Sequence, residues 1–363
     1  SPIRKLAPLA DAAKQRGVHV FHLNIGQPDL PTPQVAIDAI RNIDRKVLEY
    51  SPSAGYRSYR EKLVGYYAKF NINLTADDII ITSGGSEAVL FSFLSCLNPG
   101  DEIIVPEPAY ANYMAFAISA GAKIRTIATT IEEGFSLPKV EKFEELINER
   151  TKAILICNPN NPTGRTAQPE LLREIVRKCT ENGVKLVVDE CFNDFLTDAE
   201  RHTRKDLLES NPGLIILRAY TKMYAVPGVR FGWCMTADAA LIEKLYHAGQ
   251  PWNVSVIAQA CAVAAANEPD WAAETAKRIA EERRFLSDGL TACGLTVFPG
   301  EANFLLFRSN DTGLHEKLAE YGIMIRNCDN YRGLSAGYYR VAVKTREASK
   351  CLLNAIKLIM ENG

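Results

Sequence analysis

Arg218-Ala219-Tyr220-Thr221-Lys222-Met223-Tyr224-Ala225-Val226-Pro227-Gly228-Val229-Arg230-Phe231-Gly232 follows a short apolar run, Leu214 to Leu217. That run reads as a buried strand. Lys222 therefore falls at or just past a strand end, where an open α/β sheet collects its ligands. Its neighbours are mostly apolar or aromatic. Such surroundings disfavour an ammonium and push its pKa down, the state that a Schiff-base nucleophile needs. Eight residues on, Arg230 offers a permanently charged fork suited to phosphate. A surface lysine beside a structural arginine would be written with the same letters, so the rest of the chain decides between the two.

Working outward, apolar runs alternate with helical patterns from about 33 to 240. The runs are Ile79–Thr82, Glu102–Val105, Lys123–Ile127, Ala153–Cys157, Val184–Val188, Ile215–Leu217 and Val229–Met235. This alternation implies an α/β fold with a mostly parallel sheet between helices. Past 240 the character changes. A long helical pattern runs from Trp271 to Cys293 and closes on Gly294. Short strands follow at Leu295–Phe298, Phe304–Phe307, Ile323–Arg326 and Tyr339–Val343, and a last helix starts near 346. The expected division is a large domain over 26–240 and a smaller α+β domain over 1–25 and 241–363. The first helix, over 1–17, is expected to pack on the smaller one.

The 363 residues are 47% hydrophobic and 23% charged, ordinary for a globular enzyme. A net charge of −1 lacks the basic stripe that nucleic acid requires. Nine cysteines without a Cys-x-x-Cys pair indicate free thiols rather than a disulfide framework or a zinc site. The five histidines show no ligand spacing, so no metal is assigned. No stretch has signal-peptide or membrane-spanning length. The expected location is the cytoplasm.

Several strand ends carry chemistry. Ile79 to Val89 reads strand, tight turn, helix, and Gly84-Gly85-Ser86 would expose helix N–H groups to an anion. Tyr110 closes another strand as Pro-Glu-Pro-Ala-Tyr; a core tyrosine at a sheet edge would look the same. Asn158-Pro159-Asn160-Asn161-Pro162-Thr163-Gly164 holds two Asn-Pro steps, which make a rigid turn with no helix start. Asp189 ends the run Val187-Val188, where a carboxylate is costly without a partner, although a helix-capping aspartate also sits there.

Together these segments resemble the aminotransferase class I/II family of fold-type I pyridoxal-phosphate enzymes. The resemblance covers nearly the whole chain, with its motifs in family order. It implies that Lys222 carries pyridoxal 5'-phosphate as a Schiff base. Gly84, Gly85, Ser86, Thr221 and Arg230 would hold the phosphate, Tyr110 would stack on the ring, Asn161 would reach the ring oxygen, and Asp189 would keep the pyridine nitrogen protonated. Arg340, within the strand Tyr338 to Val343, would grip the substrate α-carboxylate, with Asn161 and Gly26 beside it. Arg326, fourteen residues earlier, could hold a second anionic group. Tyr50 lies in a loop resembling one that reaches the phosphate of a neighbouring subunit, which implies a homodimer with shared active sites. Gln250 to Ser255 resembles another part of that interface.

Two positions depart from the pattern. Ala219 stands where relatives usually carry a hydroxyl for the phosphate, and Phe192 stands where a tyrosine often donates to the ring oxygen. The two halves also differ. Residues 1–164 resemble aspartate-type aminotransferases, through Leu23 to Asp29 and the Tyr50 loop. From 165 on, Asp189 to Phe192, Tyr224 to Gly228 and Asn330-Tyr331 resemble threonine-phosphate decarboxylase and histidinol-phosphate aminotransferase. Divergence and recombination would both produce this seam. The implied reaction moves an amino group between an amino acid and a 2-oxo acid, with Lys222 as general acid and base. Decarboxylation would use the same lysine and cofactor. A cofactor-binding domain without catalysis, as in a regulator, is the reading from another class.

Overall fold

The computed structural model describes residues 7–68 and 72–361. After helix Ala7–Gln15 and a two-residue strand, β1 (Phe21–His22), the chain builds a sheet from seven strands. These are β2 (Ile79–Thr82), β3 (Glu102–Glu107), β4 (Lys123–Ala128), β5 (Thr151–Cys157), β6 (Lys185–Asp189), β7 (Leu214–Ala219) and β8 (Gly232–Met235). Their spatial order is β2-β8-β7-β6-β5-β3-β4. All neighbours run parallel except β8, which is antiparallel to both β2 and β7.

The apolar runs follow from burial on both faces. Ile154 and Ile156 of β5 join one core cluster, while Ala153 and Leu155 join the cluster on the opposite face. Leu186 and Val188 of β6 alternate with Val187 in the same way. Helix Pro169–Glu181 shows how a face is covered. Proline occupies its first turn, Leu172, Ile175, Val176 and Cys179 are buried at helical spacing, and Gly183 ends it at a φ of 66°.

The second part of the chain forms an antiparallel sheet, β12-β13-β10-β9, from β9 (Thr296–Phe298), β10 (Phe304–Arg308), β12 (Arg326–Asn327) and β13 (Tyr338–Ala342). The strand expected over Ile323–Arg326 is two pieces. β11 (Ile323–Met324) pairs with β1, and β12 turns away to pair with β13. Helix Ala7–Gln15 packs on Leu314–Glu320 through Ala10, Ala13 and Ala319. Residues 1–6 of the expected first helix lie outside the described residues. Helix Ala239–Ala248, which straddles residue 240, and helix Val256–Ala266, beyond it, pack on Gly85–Cys96 and Gln34–Arg41 of the large-sheet side.

The expected strand over Val229–Met235 starts late, at Gly232. Pro227–Val229 is a single 3-10 turn, and Arg230 takes a left-handed φ of 62°. A left-handed arginine stores backbone strain, which a functional role explains.

A buried ion pair braces the β6 and β7 ends. Arg218 donates to Glu190 at 3.0 Å and also pairs with Asp194, and Glu190 further accepts from Thr203 and from the Arg204 N–H. Burial raises the Glu190 pKa, and the Arg218 guanidinium opposes that rise. Breaking such a pair strands a charge. Arg218→Met should destabilise the protein by about 3 kcal/mol in urea unfolding, and adding Glu190→Gln should recover part of the loss.

Candidate active site

The strand ends of the large sheet and the small sheet face each other across a cavity of about 270 Å³. Gly26, Gly85, Ser86, Tyr110, Asn161, Asp189, Thr221, Lys222, Arg230, Arg326 and Arg340 all line it. Two expected residues do not. Gly84 sits one residue behind the wall and caps helix Gly85–Cys96 at a φ of 90°. Tyr50 is on the surface, 77% exposed, stacked on Trp252 at 4.6 Å between ring centroids.

One end of the cavity is a cup for an anion. No side chain caps helix Gly85–Cys96, so its first N–H groups are open to a ligand. Three chains converge there with no room for side chains. A Cβ on Gly232 would lie 2.8 Å from the Gly84 carbonyl carbon, and one on Gly84 would lie 2.7 Å from Arg230 Nη2. Arg230 donates to the Pro227 carbonyl at 3.0 Å and has no carboxylate partner among the described residues. Ala219 faces the cavity as a methyl, so the hydroxyl that relatives place there is missing.

At the other end of the same wall, Asp189 closes β6. Its Oδ2 accepts from the Tyr113 hydroxyl at 2.7 Å, and its Oδ1 accepts from the Cys191 N–H at 3.0 Å. The second bond is an Asx-turn contact, and the next helical turn, Asn193–Phe195, has Phe192 at its cap position, so Asp189 caps no helix. Each oxygen keeps a further lone pair for a protonated ring nitrogen. Tyr110 lies edge-on to Tyr113 at 5.4 Å and presents its ring to the cavity.

Lys222 lies three residues past β7. No carboxylate pairs with its ammonium among the described residues, whereas burial first, then the Arg340 and Arg230 guanidiniums, bring its pKa down to about 8. A lysine so placed is charged below pH 8 and a free nucleophile above it.

The small sheet contributes two buried arginines. Arg326 and Arg340 are register partners across β12 and β13, so their side chains share a face. Like charges directly opposite are destabilising. Arg340 donates to Asn161 Oδ1 at 2.6 Å and to the Asn24 carbonyl at 3.1 Å; Arg326 donates to Asn330 Oδ1 at 2.9 Å and lies over the Tyr331 ring. Neither has a carboxylate partner among the described residues. Four cations and one carboxylate therefore line the cavity, and it calls for anions.

Sequence reasoning missed several contributors. Tyr113 follows Tyr110 by three residues at a helix start, a spacing that could have flagged it. Glu87 bonds back to the Ser83 N–H at 2.5 Å and accepts from Asn253 Nδ2 at 2.7 Å, tying the phosphate-side turn to residues 250–254. Phe192, lacking a hydroxyl, lies edge-on to Phe304 at 5.2 Å, and both line the cavity.

Fold and cavity together define a fold-type I enzyme. The chain matches the description "Aminotransferase class I and II" across residues 18–356, and it belongs to that family, whose members use pyridoxal 5'-phosphate. It is 30% identical to threonine-phosphate decarboxylase of Salmonella typhimurium over 343 residues, 94% of this chain and 90% of that one. It is 28% identical to histidinol-phosphate aminotransferase 2 of Carboxydothermus hydrogenoformans, over 91% of this chain and 88% of that one. The solved structure of Thermus thermophilus aspartate aminotransferase with maleate superposes with a TM-score of 0.89 at 25% identity, covering 99% of this chain and 96% of that one. All three matches run through the seam at residue 164.

The open helix start, the unpaired Arg230, the carboxylate of Asp189 and the free amine of Lys222 fit the phosphate, ring nitrogen and aldehyde of this cofactor. Cofactor-free protein should capture pyridoxal phosphate at a rate that climbs with pH and levels above about 8. Arg340→Gln removes a positive neighbour, favours the ammonium and should move that midpoint up by about half a unit. An unmoved midpoint would mean that Arg340 does not act on the lysine.

Proposed function

We propose that the protein is a pyridoxal-phosphate-dependent aminotransferase acting on an amino acid, and its 2-oxo acid, that carries a second anionic group. The observation that carries this reading is the pair of buried arginines that share the cavity with Lys222 and have no carboxylate partner among the described residues. When bound, the cofactor supplies an aldehyde that condenses with amines and a ring that withdraws electrons from the substrate Cα.

This chain's residues would do the rest. Arg230, the helix start at Gly85 and Ser86, and Thr221 would neutralise and seat the phosphate. Asp189, held by Tyr113, would keep the ring nitrogen protonated. Arg340 and Asn161 would fix the α-carboxylate with a forked hydrogen bond. Lys222 Nζ, whose pKa is brought down to about 8, would take the proton from the substrate Cα and return it. Arg326 would hold the distal carboxylate or phosphate. Ile25 and Gly26, beside Asn24, would close the substrate side.

The exposed apolar strip of Val47, Leu48, Tyr50 and Trp252 is suited to burial against a second copy. Tyr50 would then serve the phosphate of the neighbouring site. Nine unpaired thiols suit a reducing compartment, the cytosol. No helix among the described residues is long and apolar enough to cross a membrane.

The similarity to threonine-phosphate decarboxylase supports a second reading, loss of the carboxylate instead of the Cα proton. The two differ only in which substrate bond stands perpendicular to the ring. Incubating the holoenzyme with aspartate, aromatic amino acids, histidinol phosphate and threonine phosphate separates them. Transfer yields the keto product and the pyridoxamine absorbance; decarboxylation releases carbon dioxide. We expect transfer, fastest with a substrate bearing two anionic groups, and its loss by at least about 10³-fold in Lys222→Ala. Turnover confined to substrates with one anionic group would remove the role given to Arg326.

A further inference from the structure

The loop Pro299-Gly300-Glu301-Ala302-Asn303 joins β9 to β10 and rests on the Asn158–Gly164 turn. Glu301 N–H donates to the Gly164 carbonyl at 2.8 Å, and Thr166 Oγ1 donates to Glu301 Oε1 at 2.9 Å. From the opposite side Arg283, on helix Pro269–Ala292, donates to the carbonyls of Glu301 at 2.9 Å and Ala302 at 3.1 Å. The loop is thus clamped between a helix of the second part of the chain and a turn of the large sheet.

That contact leaves no space for a side chain. A Cβ on Gly300 would stand 2.9 Å from the Thr163 carbonyl oxygen and 3.1 Å from Gly164 Cα. One on Gly164, itself at a φ of 72°, would stand 3.1 Å from Gly300 Cα. The opposing atoms are backbone on both sides, so neither can yield by turning a rotamer.

Both glycines sit next to residues of the substrate site. Gly164 lies three residues after Asn161. Gly300 lies four residues before Phe304, which opens β10, and Leu306 of that strand is the register partner of Arg340. The Arg340 guanidinium also lies over the Phe304 ring, 5.1 Å from its centroid. The approach of the two loops therefore sets the distance between the turn that carries Asn161 and the sheet that carries Arg340. At the present spacing Arg340 Nη1 reaches Asn161 Oδ1 at 2.6 Å.

We propose that Gly300 is a positioning residue for the substrate carboxylate, a spacer without a side chain that brings Arg340 within reach of Asn161. The inference rests on the reading of Arg340 and Asn161 as the carboxylate grip. A forked grip tolerates little displacement, and misplacement of an ångström lowers activity steeply. Gly85, Ser86 and Arg230 lie on other segments of the large sheet, and the Asn158–Gly164 turn meets Asp189 through backbone, Asn158 N–H donating to the Asp189 carbonyl at 2.9 Å, so widening the gap acts first on substrate.

The test compares Gly300→Ala holoenzyme with the parent, using the amino acid that the parent consumes fastest. KM should rise about tenfold, with a smaller fall in kcat, while cofactor Kd and the visible spectrum stay as in the parent. Gly65→Ala, where the helix has open space, should leave all four unchanged. Should Gly300→Ala fail to fold, Thr166→Val loosens the clamp without adding bulk and should raise KM about threefold at unchanged cofactor Kd. A folded Gly300→Ala with parental KM overturns the proposal, and so does a KM rise matched by equal loss of cofactor affinity. A parent that consumes no amino acid and binds no dicarboxylate sinks the reading of the site, and this inference with it.

Discussion

Everything in the cavity answers to an amine that has no counter-ion among the described residues. Lys222 is buried beside the Arg340 and Arg230 guanidiniums, and their combined effect brings its pKa to about 8. In water that amine would be an inert ammonium at neutral pH. The fold supplies the conditions that change this. β7 delivers the lysine to a strand end, β8 returns antiparallel beside it, and a left-handed arginine completes the wall. The charge imbalance that lowers the pKa of the amine also makes both ends of the cavity favourable to anions.

The architecture separates these two tasks. The large sheet holds the cup, Asp189 and Lys222 on elements buried on both faces and braced by the Arg218–Glu190 pair. The small sheet holds Arg326 and Arg340. Two arginines opposite each other across an antiparallel pair is an arrangement that no isolated sheet would favour. A doubly charged substrate between the sheets, as proposed above, would compensate it. Contacts of the 299–303 loop with the Asn-Pro-Thr-Gly turn keep the two halves in register.

Most of the parallel strands were legible because burial on both faces writes continuous apolar runs, as in Ile154 to Ile156 and Leu186 to Val188. Lys222, Asp189, Asn161 and Arg230 were legible because each sits in a motif at a strand end. Other features were not. The late start of β8 depends on the left-handed turn at Arg230, and nothing in an apolar run announces it. The split of Ile323 to Arg326 into two strands depends on partners far along the chain. Tyr113 and Glu87 act through hydrogen bonds to other residues, and only their coordinates reveal the acceptor or donor. Tyr50 was singled out by resemblance, and in one chain it faces outward.

The most direct test of this account is to reduce the cofactor-loaded protein with borohydride, digest it and weigh the peptides. The account predicts a pyridoxyl mass on the peptide that carries Lys222 and on no other lysine. A mass elsewhere, or no modified peptide from protein that has retained its cofactor spectrum, would contradict it.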